Sequence, residues 1–282
     1  MAREATARAE EAALRAAAAP PSGPGALELS GVNKVYQARR GEVHALQDIN
    51  LSVRTGEFVS LVGRSGCGKT TLLRILAGLL APTSGEVLAN GRSTWKGATR
   101  DDDALRQCGL VFQDANLFPW FNVTDNISLP LKLRGVDKRS RTARAKELCE
   151  LVGLVGFEGA YPRELSGGMR QRAAIARALS YNPTVLLMDE PFGALDALTR
   201  DRMNLELQAI HAAAGATVVF VTHSISEAVF LADRVVLLSP RPGRIRSLTD
   251  IPLARPRSLE TESTEEFQTI IRKLRHELDE EL

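Results

Sequence analysis

A largely apolar run, Phe58-Val59-Ser60-Leu61-Val62, leads into Gly63-Arg64-Ser65-Gly66-Cys67-Gly68-Lys69-Thr70, and that into a helical pattern over residues 71–76. The middle segment fits G-x-x-x-x-G-K-[ST], and it stands between a strand and a helix, the context that gives the pattern its chemistry. Glycines in such a loop let backbone N–H groups approach phosphate oxygens with no Cβ in the way. The N-terminus of the following helix adds a partial positive charge. Lys69 is placed to reach β- and γ-phosphates, and the Thr70 hydroxyl to ligate Mg²⁺. Residues 63–70, with Thr71 beside them, are therefore the expected nucleotide-binding loop.

Further β-type runs fall at 27–29, 49–53, 86–88, 110–112, 185–188, 217–221 and 235–238. Several are continuous apolar runs followed by helical patterns, which predicts parallel strands buried on both faces of an α/β core. The run at 184–188 ends in Asp189-Glu190. Ligands bind at the C-terminal edge of open α/β sheets, so the pair belongs beside the phosphate loop. Asp189 is expected to hold Mg²⁺ directly or through water. Glu190 is expected to orient or deprotonate the attacking water. By itself an Asp-Glu pair after a strand reads as a turn or a helix start; the upstream loop gives it the catalytic reading. From about residue 123 to 179, Leu and Ala recur at helical spacing among Arg, Lys and Glu, which predicts a helical insert between two core strands.

Composition narrows the function classes. A chain of 282 residues corresponds to about two structural units, or one domain with an insert, at roughly 150 residues each. Such a chain needs no disulfide or structural metal to fold. Lys plus Arg total 36 against 34 Asp plus Glu, so the basic footprint of a dedicated nucleic-acid binder is missing. Cys67, Cys108 and Cys149 lie far apart and form no C-x-x-C pair, which predicts reduced thiols. No apolar run approaches the ~20 residues needed to cross a bilayer. Residues 1–25 read as a disordered or fraying Ala-rich tail. Arg3, Arg8, Glu10, Glu11 and Arg15 interrupt it before a secretory core is reached, so a cytoplasmic protein is expected. After Pro256, Ser263 and Glu266 stand in capping-box spacing. Phe267, Ile270, Ile271, Leu274 and Leu278 then mark one helical face, expected to pack on its own domain. The stretch after Ile245, roughly 40 residues, is too short for an appended regulatory β domain of about 50.

Leu165-Ser166-Gly167-Gly168-Met169 precedes a helical stretch at 171–179. A Ser hydroxyl and two Gly amides at a helix N-terminus make a second phosphate site, although an isolated Ser-Gly-Gly reads as an N-cap with a flexible pair. It is not isolated. With Tyr36 ahead of the phosphate loop, Gln113 after 110–112, Ala194-Leu195-Asp196, and His223 after 218–221, the chain resembles the ATP-binding cassette (ABC) family. The resemblance implies a P-loop NTPase (RecA-like) core with an antiparallel β subdomain and a helical insert. The cassette would span 26–250, its helical part about 115–180, with a C-terminal extension at 251–282. Tyr36 would stack on adenine. Gln113 and His223 would contact the γ-phosphate end and join Glu190 as the catalytic set, and Gln113 would also hold Mg²⁺ with Thr70 and Asp189. Ser166, Gly167, Gly168 and Asp196 would complete the ATP pocket of an opposing subunit, in a homodimer or a pair with a second cassette. Met169 departs from the Gln found in many members, but the Ser-Gly-Gly unit is intact.

Repair-type relatives carry long coiled coils or zinc-binding Cys pairs, and translation factors carry tandem cassettes; this chain has neither and one phosphate loop. Transport is the remaining reading, and a soluble ABC-type ATPase acting on nucleic acid is the alternative. Gln113-Asp114-Ala115-Asn116-Leu117-Phe118-Pro119-Trp120, the run Val123-Thr124-Asp125-Asn126-Ile127, Met188 through Asp196, and Ser239-Pro240-Arg241-Pro242-Gly243-Arg244-Ile245 are similar to importer cassettes for nitrate, sulfonate and taurine. This implies transmembrane permease subunits, an indirect link to an extracytoplasmic solute-binding protein, and a place at the cytoplasmic face of a bacterial inner membrane. A short permease helix would dock beside the Q-loop, lined by Leu117, Phe118, Pro119 and Trp120; alternatively Phe118 and Trp120 pack inside the insert.

Overall fold

The computed structural model describes residues 25–38, 41–97 and 99–279. The tail expected at 1–24 lies outside the described residues. Gly25, read as the end of that tail, is instead the first residue of a strand and pairs with Arg54. Two long antiparallel strands, β1 (Gly25–Ala38) and β2 (Gly41–Arg54), precede β3 (Phe58–Val62), helix α1 (Lys69–Leu76), β4 (Ser84–Ala89) and β5 (Arg92–Ser93). A small hairpin of β6 (Trp95–Lys96) and β7 (Thr99–Arg100), a short helix α2 (Asp102–Leu105) and β8 (Cys108–Val111) follow. The helical segment holds α3 (Val123–Leu133), α4 (Lys138–Leu151) and α5 (Gly167–Leu179). The chain then alternates through β9 (Val185–Asp189), α6 (Ala197–Ala214), β10 (Thr217–Val221), α7 (Ile225–Leu231), β11 (Arg234–Leu238) and β12 (Ile245–Asp250), and closes with α8 (Glu265–Asp279).

Two main sheets result. One has the order β2-β1-β4-β5, and the other β12-β11-β3-β10-β9-β8. In the second sheet every pairing is parallel except β11 with β12. Alternation along its strands explains why the apolar runs are continuous. Leu186, Met188, Val218 and Phe220 face a core shared with the helical segment, whereas Val185, Leu187, Val219 and Val221 face a core shared with α1 and the antiparallel sheet. A strand buried on both faces has no solvated side on which to place polar residues. Each fully buried Val, Leu or Phe contributes about 1.5–3 kcal/mol.

Strand register decides which loops meet. Val221 lies beside both Leu61 and Asp189, Met188 beside Val111, and Leu237 beside Val62. Parallel strands in step must end together, so the loops opening at residues 63, 112, 190, 222 and 239 share one edge.

The C-terminal helix packs by its predicted face, with Phe267, Ile271 and Leu274 buried and Ile270 and Leu278 against the same core. Its cap differs from expectation. Ser263 ends a 3₁₀ turn, and Thr264 is the cap, its Oγ1 accepting the Phe267 N–H at 3.3 Å. A capping side chain bonds the backbone three residues on, and the sequence offered adjacent hydroxyls in either register. Among the described residues no helix is long and apolar enough to cross a membrane.

Candidate nucleotide site

The loop at 63–70 wraps around its own lysine. Lys69 is buried, and its Nζ donates to the carbonyls of Gly63 at 2.7 Å and Arg64 at 3.2 Å. Gly68, which precedes α1, sits at φ 107°, and a Cβ there would lie 2.7 Å from Leu46 Cδ2 and 2.9 Å from the Ala45 carbonyl oxygen. Only glycine satisfies both the left-handed backbone and that approach to β2. The loop opens into a cavity of about 270 Å³, walled by Ser65, Gly66, Gly68, Lys69, Thr70 and Thr71 together with Tyr36, Val43, Ala45, Glu190 and Arg241. Tyr36 is partly exposed, with Lys34 Nζ 5.3 Å from its ring centre. An aromatic residue and a cationic, amide-rich loop line this cavity together, which suits a nucleobase joined to a phosphate chain.

At the foot of the loop, Thr70 Oγ1 donates to Asp189 Oδ1 at 3.0 Å. Burial pushes the Asp189 carboxyl above its ordinary pKa; the Thr70 hydroxyl opposes the shift and the Glu190 charge adds to it. These are hard oxygen donors, and a nearby cation would relieve the buried charge. The pair fits Mg²⁺, which binds through one or two protein oxygens plus substrate phosphates and water. Among the described residues no cluster of three or more His, Cys, Asp or Glu side chains is set to hold a metal.

Glu190 adopts φ 43°, a left-handed conformation that costs a non-glycine residue about 1–2 kcal/mol. Its N–H bonds the Val221 carbonyl at 3.0 Å and its carbonyl accepts from Gly193 at 3.1 Å, which hold the turn. His223 Nδ1 lies 3.2 Å from Glu190 Oε2. A Cβ on Gly193 would stand 3.5 Å from Gln113 Nε2 and 3.7 Å from Glu190 Oε2, so the Gln113 amide and this carboxylate face one small space. Glu190, His223 and Gln113 thus converge from three loops.

Ser166, Gly167 and Gly168 form no wall of the cavity. Ser166 caps α5, its Oγ accepting the Met169 N–H at 3.2 Å, and both Ser166 and Gly167 are exposed. They neighbour the 194–196 loop, since a Cβ on Gly167 would meet Leu195 at 3.4 Å. Asp196 caps α6 through the Thr199 hydroxyl and N–H, which hold its carboxyl below the usual range.

Sequence reasoning assigned no role to several residues that shape this region. Arg177 of α5 donates to the carbonyls of Ala115 and Asn116 at 2.8 and 2.7 Å, clasping the segment after Gln113. Buried Asn126 donates to the Phe118, Phe121 and Asn122 carbonyls and accepts from the Phe118 N–H, pinning the aromatic run. Arg200 bonds the Leu195 carbonyl and pairs with buried Glu227, which accepts the Thr222 hydroxyl beside His223. The Arg177 and Arg200–Glu227 contacts join residues far apart in the chain, so no local pattern marks them.

A strand–phosphate loop–helix unit, an acidic strand end paired to its threonine, and a Glu–His pair on the same edge define a P-loop nucleotide triphosphatase. Residues 46–193 match the ABC transporter family model, and the chain belongs to that family of ATP-binding cassettes. It is 50% identical over 225 residues to the nitrate import ATP-binding protein of Synechocystis sp., covering 79% of this chain and 82% of that protein. It is 48% identical over 225 residues to the taurine import ATP-binding protein of Burkholderia pseudomallei, covering 79% and 84%. Among solved structures it is similar to a dimeric ATP-binding cassette in a post-hydrolysis state bound to ADP and Pi, with a TM-score of 0.70 and 36% identity over 80% of this chain and 98% of that one.

Proposed function

We propose that this chain is the ATP-hydrolysing subunit of an importer, driving uptake of a small organic or inorganic anion of the nitrate, sulfonate or taurine kind through separate permease subunits at the cytoplasmic face of a bacterial inner membrane. The observation that carries the reading is the division of the chemistry between two places. The phosphate loop, the Thr70–Asp189 pair and the Glu190–His223 pair share one sheet edge, while the Ser166-Gly167 helix start is exposed and lines no part of that cavity. The import names of the relatives support transport over action on nucleic acid.

ATP is held by the 63–71 loop, with adenine on Tyr36 and the Lys69 ammonium turned from its carbonyl partners to phosphate oxygens. Thr70 and Asp189 would hold Mg²⁺, which would supply charge neutralisation for the phosphates. Glu190 orients and deprotonates the attacking water. His223 positions that carboxylate through Nδ1, and Gln113 borders the same space. Ser166 and the 167–168 amides serve the triphosphate of a second cassette, so two nucleotides lie between two chains. Hydrolysis removes that bridge and the pair opens, as in other γ-phosphate switches. An extracytoplasmic binding protein delivers the solute without touching this chain.

Ser166→Glu sets a carboxylate against the partner's phosphates. Turnover in the assembled transporter falls about a hundredfold, in the range for losing a preorganised phosphate donor, while each chain alone still binds ATP. Unchanged phosphate release in proteoliposomes rules out the shared site.

Trp120 is 67% exposed, and its ring meets Phe118 at a tilt and Phe121 edge-on, at 5.6 and 6.3 Å between ring centres. That exposure favours the docking role over core packing. Trp120→Ala then abolishes transport while ATPase activity and melting temperature of the isolated chain stay near wild type. A large drop in melting temperature would return the side chain to a packing role.

A further inference from the structure

The loop between β11 and β12, residues 239–244, contributes Arg241 to the wall of the nucleotide cavity. It is closed by the Ser239 N–H bond to the Arg244 carbonyl and the Arg244 N–H bond to Ser239 Oγ, both 3.0 Å. Two backbone bonds seat it on β2, Gln47 N–H to the Gly243 carbonyl at 2.9 Å and Gly243 N–H to the Ala45 carbonyl at 3.0 Å. Arg244 adds a bond to Gln47 Oε1 at 2.7 Å. On its other side the loop abuts the phosphate loop so closely that a Cβ on Gly243 would stand 2.1 Å from the Cys67 carbonyl oxygen. Arg241 is exposed at the crest of this seated loop and turns back over the phosphate cradle. Its Nε donates to the Gly66 carbonyl at 3.2 Å, and its Nη2 lies 3.3 Å from where a Gly66 Cβ would be. It borders the same cavity as Tyr36, Lys69 and Thr70.

We propose that Arg241 is a nucleotide-binding residue whose guanidinium grips the phosphate chain held by residues 63–71. This rests on the reading of that cavity as the ATP site. A guanidinium has five N–H donors in one plane, and it matches phosphate oxygens in pairs. The Gly66 bond engages Nε and fixes the plane, so the Nη donors are presented to the cradle at little further loss of freedom. Lys69 and the loop amides supply a point charge and neutral donors from within the loop, and Arg241 supplies a planar fork from outside it.

The test is titration of ATP and ADP, through a fluorescent analogue, into wild type, Arg241→Gln and Arg241→Lys, with the melting temperature of each nucleotide-free protein. Gln retains an N–H donor for the Gly66 carbonyl but no charge. The expected result is affinity for both nucleotides lowered about tenfold in Arg241→Gln, the scale of a lost charge-assisted hydrogen bond. Arg241→Lys recovers most of it, and melting temperatures are unchanged. Wild-type affinity in Arg241→Gln overturns the assignment. So does an affinity loss that only follows a fall in the nucleotide-free melting temperature, since the arginine would then be no more than a clamp on Gly66. Failure of the wild-type chain to bind ATP is read before any variant and overturns the ATP site itself.

Discussion

Glu190→Gln lowers ATP turnover by about two to four orders of magnitude, the range for losing a positioned general base, while ATP still binds and holds two copies together. The substitution keeps shape and hydrogen-bonding capacity. The amide still bonds His223, 3.2 Å from the carboxylate in the wild type, and the left-handed turn at φ 43° is held by backbone bonds to Val221 and Gly193 that the change leaves alone. What disappears is the base. Asp189, the neighbouring carboxylate, is committed to Thr70 at 3.0 Å and cannot replace it. Phosphate release measured over many turnovers, with size-exclusion chromatography in ATP, reads both halves of the expectation. Sustained hydrolysis at the wild-type rate by the pure variant would assign the base elsewhere.

Lys69→Ala removes nucleotide affinity rather than turnover alone. Its ammonium is buried inside the loop, bonded to the Gly63 and Arg64 carbonyls, and ATP offers it charged oxygens instead of neutral ones. Two charge-assisted hydrogen bonds at about 1.5–3 kcal/mol each correspond to a loss of a hundredfold or more in affinity. A fluorescent ATP analogue measures it, and the nucleotide-free melting temperature separates loss of ligand contacts from collapse of the loop. Retained affinity with a lower melting temperature would make Lys69 a structural strut.

The legible part of the site was the part contained in one stretch of chain. Residues 63–70 carry their own context, a strand before and a helix after, and local rules suffice for that. The apolar runs at 185–188, 217–221 and 235–238 were readable as doubly buried strands for the same reason. Trp120 was not readable in this way. An aromatic beside a loop packs inward or outward according to what covers it, and here Asn126 pins the backbone so that the indole is left in solvent. The cap of α8 moved from Ser263 to Thr264 because a one-residue shift between hydroxyls changes nothing in the pattern. Arg241 stands in the sequence as one residue of the run 239–245, yet its place over Gly66, 175 residues away in the chain, follows only from β11 lying beside β3.

The order of amino acids alone marked a strand, a phosphate-loop pattern and a helix within an α/β core, since those features belong to short contiguous segments with fixed local geometry. Tertiary structure alone decided that Thr70 meets Asp189 across 119 residues and Glu190 meets His223 across 33, and that the Ser166 helix start neighbours Leu195. The physical reason is register. Hydrogen bonding between parallel strands sets which loop ends stand side by side, and that alignment is a property of the whole sheet rather than of any segment within it.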